Sequence, residues 1–268
     1  GEIYSCTDAT ADANVWTNVG SGDGDIALWS YVDGASVATF SVGGTTGPAS
    51  GLTSIDKVIV TSDTPVNSTG NLTQGSNCGA GASSQTHAYA AGRMTAPLTT
   101  VERFAFASEG TITDAGDLDS SGNIYGDGAA SETHGYIVHQ STNSPAKYTL
   151  AATVVSSTIT DIGGTIRGEI GVFASKLHAY ACGGVPDQAP GGSGSVCVDI
   201  IDRFSFVNEG SWAGHGTLDL ARLSNCGMGT QTETDGYFSG GTTNNNSTVH
   251  TQIDKISFAS SGSATDIG

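Results

Sequence analysis

"IDRFSFVNEG", residues 201–210, decides the fold, because the chain repeats it. "VERFAFASEG" stands at 101–110, "IDKISFASSG" at 253–262, and a looser "IDKVIVTSDT" at 55–64. Each copy opens on an apolar residue, adds an acid and a base, and runs on as an alternation. Alternation with period 2 reads as a strand. In 101–108, Phe104 and Phe106 fall on one side, and Val101 and Arg103 on the other. A strand with bulk on both faces belongs in a sheet covered on both sides.

A second phrase recurs out of step with the first: "THAYAAG" (86–92), "THGYIVH" (133–139), "LHAYACGG" (177–184), "TDGYFSGG" (234–241), and a weaker "VATFSVGG" (37–44). Its aromatics, Phe40, Tyr89, Tyr136, Tyr180 and Tyr237, pace the chain at about 44 to 57 residues. A period near 50 built from strand-like segments is the mark of propeller blades of kelch length. The second period reads as four strands: a over 73–82, b over 86–92, c over 101–108, a turn at Glu109-Gly110, and d over 111–118. In the third, Tyr148 in "YTLAATVV" reads as a degraded copy, with Thr149 and Leu150 in place of the acid–base pair. The expected fold is therefore all-β, a kelch-like propeller of five four-stranded blades. Blades are expected at about 23–72, 73–118, 119–166, 167–218 and 219–268. Residues 1–22 read as a hairpin that completes the ring or starts a sixth blade. No blade is stable alone, so the repeated phrase is scaffold.

Composition agrees. Glycine is abundant, 39 of 268 residues, and charged residues make up 13 %. This favours short strands and tight turns over long helices. The net charge of −17 reflects only nine Lys plus Arg, which argues against nucleic acid and against anionic membranes as partners. No apolar run approaches 18 residues, and no charged-then-apolar leader opens the sequence.

The residues around the repeat resemble the kelch-like repeats of virion structural proteins in tailed phages, marine ones especially. The likeness rests on "IDKISFASSGSATDIG", "THGY", "TITDAGDL" (111–118) and "TITDIGGTI" (158–166), with the opening "GEIYSCTD…VWTNVGSG" similar to a hairpin that precedes such blades. The resemblance implies a location on the virion, other virion proteins as partners, and no catalytic residues.

Several residue sets invite chemistry. His87, His134 and His178 share one repeat position and, gathered around an axis, would suit a transition metal, as in a copper radical oxidase on a kelch propeller. Asp235 and Ala38 occupy the same position in the other periods, and packing between blades is the simpler role. "DLDSSGNI" places Asp117, Asp119 and Ser121 at the first, third and fifth places of a calcium loop, but the twelfth is Gly128. Cys182 and Cys197 flank the Gly/Pro-rich insertion "GGVPDQAPGGSGSV" and are the candidate disulfide. The pairs Asp56-Lys57, Glu102-Arg103, Asp202-Arg203 and Asp254-Lys255 face opposite sides of their strands, which excludes a catalytic dyad and fits an interblade ladder. Asn67, Asn71, Asn245 and Asn246 lie in Asn-x-Ser/Thr sequons, relevant only to a chain secreted by a eukaryote.

The b–c loops, at about 43–54, 93–100, 139–147, 183–199 and 240–252, recur in neither length nor sequence. Variable loops on a constant frame suit recognition. The longest supplies the candidate contacts Asp187, Gln188, Pro190 and Ser193. The expected function is thus non-enzymatic attachment at a virion surface, through a tail-associated receptor- or glycan-binding role or a capsid fibre or decoration, without a cofactor. A bacterial cell-surface adhesion module and an oxidase-like enzyme are the alternatives.

Overall fold

A computed structural model describes residues 4–8, 15–18, 38–43, 45–47, 50–59, 62, 64–76, 79–92, 99–119, 127–138, 145–159, 167–186, 196–223, 229–243 and 248–268. Two compact units divide it, Gly1–Asp33 and Gly34–Gly268. In the first, Tyr4–Asp8 and Val15–Asn18 pair antiparallel as a hairpin with a bulge between Cys6 and Asp8.

The second unit is a succession of antiparallel meanders. Blade 1 is described from strand b onward: b Ala38–Val42, c Ser50–Ile59 and d Thr64–Ser76. Blade 2 runs a Ala80–Ser83, b His87–Ala91, c Thr100–Ala105 and d Ile112–Asp117. Blade 3 runs a Asp127–Ala130, b His134–Val138, c Ala146–Thr149 and d Ser156–Thr158. Blade 4 runs a Gly171–Ala174, b His178–Cys182, c Ile200–Ser205 and d Ala213–Thr217. Blade 5 runs a Gly229–Gln231, b Asp235–Ser239, c Ile253–Ser257 and d Thr265–Asp266. The inner strands pack side by side in chain order, that of blade 2 on blade 3, blade 3 on blade 4, and blade 4 on blade 5. These five sheets ringed around an axis make a five-bladed β-propeller. Helix among the described residues is limited to one 3-10 turn, Phe106–Ser108.

Each of the four seams from blade 1 through blade 5 carries its own apolar cluster, with residues of the repeated phrase in it. Phe104 and Phe106 of blade 2 pack on Phe40 of blade 1, with centroids 5.2 and 5.7 Å away. Phe204 and Phe206 of blade 4 do the same to Tyr136 of blade 3, at 5.7 and 4.8 Å. Phe258 of blade 5 stacks on Tyr180 of blade 4 at 4.9 Å. Each such pair adds about 0.5–1.5 kcal/mol beyond its buried area. On the opposite face of strand c, Val101 and Ile201 are fully buried against the following blade. The phrase is therefore bulky on both faces because each blade is wedged between two others.

Register corrects two expectations. Residues 73–76 belong to strand d of blade 1, where Ser76 lies opposite Leu52, so strand a of blade 2 begins at Ala80 rather than 73. The thirteen-residue strand Thr64–Ser76 outruns the repeat because Gly51 and Gly75 let the two backbones approach across it. In blade 3, Tyr136 faces Lys147 across strands b and c, as Tyr89 faces Arg103 and Tyr180 faces Arg203. Lys147 thus holds the base position, Ala146 the acid position and Tyr148 the first aromatic position, its ring tilted against Tyr89 at 6.3 Å. The third period keeps its base and has lost its acid; Thr149 and Leu150 do not stand for the pair.

Candidate functional site

Antiparallel order places all b–c loops, with the d–a links between blades, at one end of the ring; the a–b and c–d turns lie at the other. The b–c end is assembled by the acid of the repeated pair. In blade 4 the entering chain carries Arg167, buried, within the short strand Arg167–Gly168 that pairs with Val185–Pro186. Its guanidinium donates to the carbonyls of Gly183 and Ile200 at 2.8 Å each, to that of Ala181 at 3.3 Å, and to Asp202 at 2.7 Å. Burial lowers the pKa of Arg167, and Asp202 opposes that shift. Blade 5 repeats the device with Arg222, which bonds the Phe238 carbonyl at 3.2 Å and pairs with Asp254 at 3.0 Å, both side chains fully buried. Burial raises the Asp254 pKa, and Arg222 works against it. Arg222 Nε and Nη1 have no hydrogen-bond partner among the described residues. In blade 2, Glu102 accepts the backbone N–H of Thr73 at 2.7 Å.

Glycine makes this approach sterically feasible. Gly183 and Gly184 have φ of +63° and +94°, and a Cβ on Gly183 would lie 2.3 Å from the Arg222 carbonyl. The Gly184 N–H donates to that same carbonyl at 2.9 Å.

The bases of the repeated pairs lie further along strand c and act across seams. Lys57 of blade 1 pairs with Glu109 of blade 2, and Lys147 of blade 3 with Glu209 of blade 4, whose carboxylate also accepts from the Tyr136 hydroxyl at 3.2 Å. Lys255 stays within its blade, on Asp235 at 3.1 Å. Of the four pairs, Lys57 makes an interblade contact, Lys147, whose acid neighbour is replaced by Ala146, makes another, and the acids at 202 and 254 hold the chain entering their own blade.

The sequence-derived candidates fall as follows. Cys182 and Cys197 are both free and buried, in separate apolar clusters. Cys182 ends strand b opposite Ile201 and packs in the blade 4–5 seam. Cys197 packs instead with Val185 and Leu223, its thiol 3.9 Å from the Thr242 carbonyl. Burial pushes the Cys182 thiol far up, which disfavours the thiolate. His87, His134 and His178 open strand b in three separate blades. His87 and His134 each sit 2.8 Å from the hydroxyl of the preceding threonine, and burial lowers all three pKa values. Among the described residues no three His, Cys, Asp or Glu groups come together as a metal would require. Asp117 accepts from the Thr99 hydroxyl at 3.1 Å, and the Asp119 N–H donates to Ser156 Oγ at 2.8 Å; Ser121 lies outside the described residues. Asp187, Gln188, Pro190 and Ser193 lie outside them too. Within the described parts of these loops, Thr45–Gly47, Val185–Pro186 and the hairpin Thr242–Thr243 with Thr248–Val249 form strands.

One functional-looking residue escaped the repeat comparison. Asp127 opens the inner strand of blade 3, where blades 2 and 4 have Ala80 and Gly171, and it reaches the next blade: its carboxylate accepts from Val172 N–H at 2.8 Å and from Gly128 N–H at 2.7 Å. Burial raises its pKa to about 6 against those two bonds. The signal was present as a lone acid in an otherwise small-residue position.

No family pattern and no curated protein matches the chain. Among solved structures it is similar to one described as "Structure of YjhT", over 100 % of this chain and 91 % of that one, with a TM-score of 0.67 and 11 % identity. The likeness is one of fold. It carries no activity across.

Proposed function

We propose that the protein is a non-enzymatic surface protein of a tailed-phage virion, and that its propeller is a rigid frame presenting the b–c end for attachment. The observation that carries this reading is the division of labour within each repeat. The aromatics, the acid–base pairs and the paired glycines are consumed in packing one blade on the next or in fixing the chain that enters a blade, as in the Tyr136–Phe206 stack and the Arg167–Asp202 pair. What differs from blade to blade is the b–c loops, and variation on a constant frame is how recognition surfaces are built. The virion assignment rests on the resemblance of the repeat to kelch-like virion proteins. A host-surface glycan or receptor, or another virion protein, is the partner that a surface with few bases and many hydroxyls and amides fits. An enzyme on this fold would need a convergent constellation, and the shared histidine position is instead divided among three blades.

The test is removal of residues 187–195. Val185 and Pro186 must stay, because they pair with the strand that carries Arg167. The reading expects weakened attachment to host cells or to the particle with the fold intact; undiminished binding clears this loop of the role. Turnover of sugars or alcohols that is abolished by His134→Ala would overturn the non-enzymatic reading itself.

A further inference from the structure

The repeats serve as internal controls for one another along strand c, where two of the bases lack what two others have. In blades 1 to 4 the base lies across from the aromatic of strand b and shares its face: Lys57 with Phe40, Arg103 with Tyr89, Lys147 with Tyr136, Arg203 with Tyr180. The two lysines meet a carboxylate from the c–d turn of the next blade, Glu109 for Lys57 and Glu209 for Lys147. The same turn position carries no acid in the blades that follow the arginines. Packing fixes that position: Gly110, Val154 and Gly262 lie against Gly70, Gly116 and Gly216 of the preceding blade, 2.7, 2.9 and 1.7 Å from a Cβ placed there. The residues just before them are Glu109, Thr153 and Ser261. Arg103 therefore has Thr153 at the acid position, and Arg203 has Ser261, both exposed.

Both guanidiniums keep a charge that the fold does not neutralise. Neither has an ion pair among the described residues, and Arg203 lies against the Tyr180 hydroxyl rather than a carboxylate. The neighbouring histidines register this field. Burial and then Arg103 lower the pKa of His87, and burial, Arg203 and His215 lower that of His178. At His134, burial and Lys147 act the same way, but Glu209 opposes them. Glu209 itself is spent on Lys147 and Tyr136 in the seam between blades 3 and 4, whereas Arg203 is on the face of blade 4 turned to blade 5. In a chain with nine bases and a net charge of −17, two half-buried arginines without an acid stand out. Arginine is also the side chain whose fork takes two oxygens of one oxyanion, where lysine offers a point charge.

We propose that Arg103 with Tyr89 and His87, and Arg203 with Tyr180 and His178, are two equivalent sites for the carboxylate or sulfate groups of an acidic polysaccharide. They lie toward the a–b and c–d end of the ring, in alternate seams. Two like sites two blades apart suit a polymer with spaced charges, because simultaneous engagement multiplies a weak single contact. Nucleic acid, charged at every phosphate, meets the repulsion of the remaining acids. The proposal is separate from the attachment role of the b–c loops, which are at the other end.

Affinity electrophoresis of the full chain through gels containing polygalacturonate, dextran sulfate or neutral dextran is the test, at low ionic strength because salt screens such contacts. At least one acidic polymer should retard the parent, dextran should not, and the two acidic arms tell carboxylate from sulfate. Arg103→Gln and Arg203→Gln should each weaken binding about tenfold or more, and the pair together should abolish it. Thr153→Glu/Ser261→Glu supplies the acid that the lysine seams hold. It should keep or raise the melting temperature while removing retardation, which separates lost binding from lost folding. Ser157→Glu/Thr265→Glu, the same charge change on exposed strand d positions, should bind like the parent. A parent retarded by neither acidic polymer, retardation unchanged in the double arginine or Thr153→Glu/Ser261→Glu variant, or equal loss in Ser157→Glu/Thr265→Glu would each overturn the proposal.

Discussion

Replacing Arg167 by Met should destabilise the propeller more than any surface change, and more than the equivalent change in the next blade. The guanidinium is held by four acceptors, three of them main-chain carbonyls at the b–c turn of blade 4 and one the Asp202 carboxylate. Met preserves the apolar stem and removes every donor. Breaking a buried ion pair from one side costs about 3–5 kcal/mol. Each carbonyl left without a partner adds up to about 1 kcal/mol where water cannot reach it. Some of this is recovered because Asp202 is 16 % exposed at its side chain and can rehydrate, so a loss of about 3–5 kcal/mol is the working figure. Arg222→Met in blade 5 removes one carbonyl bond and the Asp254 pair, but also removes two donors with no partner among the described residues. It should cost about 1–2 kcal/mol less, since an unsatisfied buried donor is itself destabilising. Urea unfolding at fixed pH, with m-values checked for constancy, measures both. Equal losses, a reversed order, or a loss below about 1 kcal/mol for Arg167→Met would refute the claim that this arginine anchors the entering chain.

Asp127→Asn should raise the melting temperature at pH 8 and leave it nearly unchanged at pH 4. Its folded pKa of about 6 lies above the ordinary value of 3.8, so the folded state holds this proton more tightly and its stability falls as pH rises from about 4 to 6, by up to about 3 kcal/mol. Melting curves across that window check the slope, and an unaltered pH profile in the variant would remove Asp127 as its source. Gly183→Ala meets both a positive φ and a carbonyl 2.3 Å from the new Cβ, and should cost about 2–4 kcal/mol in the same urea assay, where a near-neutral result would contradict the close approach of Arg222. Deletion of 187–195 should leave the melting temperature within a few degrees of the parent while extending the deletion back to Val185, which is 6 % exposed, should lower it clearly; scanning calorimetry separates the two.

Much of the architecture was legible because the packing problem recurs. Every blade must offer one face to its predecessor and one to its successor, and the two bulky faces of "VERFAF" announce that directly. The errors arose where a local feature outweighed the repeat. Tyr148 looked like the opening apolar residue of its phrase, yet cross-strand pairing with Gly135 and of Lys147 with Tyr136 fixes it three places later, since register flips every side chain if shifted by one. Strand d of blade 1 ran past its expected end because two glycines permit close pairing that period counting cannot foresee. Cys182 and Cys197 bracket one loop, but Cys182 points into a seam and Cys197 under the link to blade 5, a difference set by which strand face each occupies. The roles of Arg167 and Arg222 were invisible in sequence, because neither lies in either repeated phrase; only the fold brings them onto Asp202 and Asp254.

The most direct test of the functional account is where the protein sits. Intact, purified phage particles probed with antibody against this chain, by electron microscopy with gold labelling and by mass spectrometry of the same preparation, should show the protein present in the particles and labelled on their exterior. Its recovery from the bacterial envelope instead, or from the soluble fraction alone with unlabelled particles, would contradict the account.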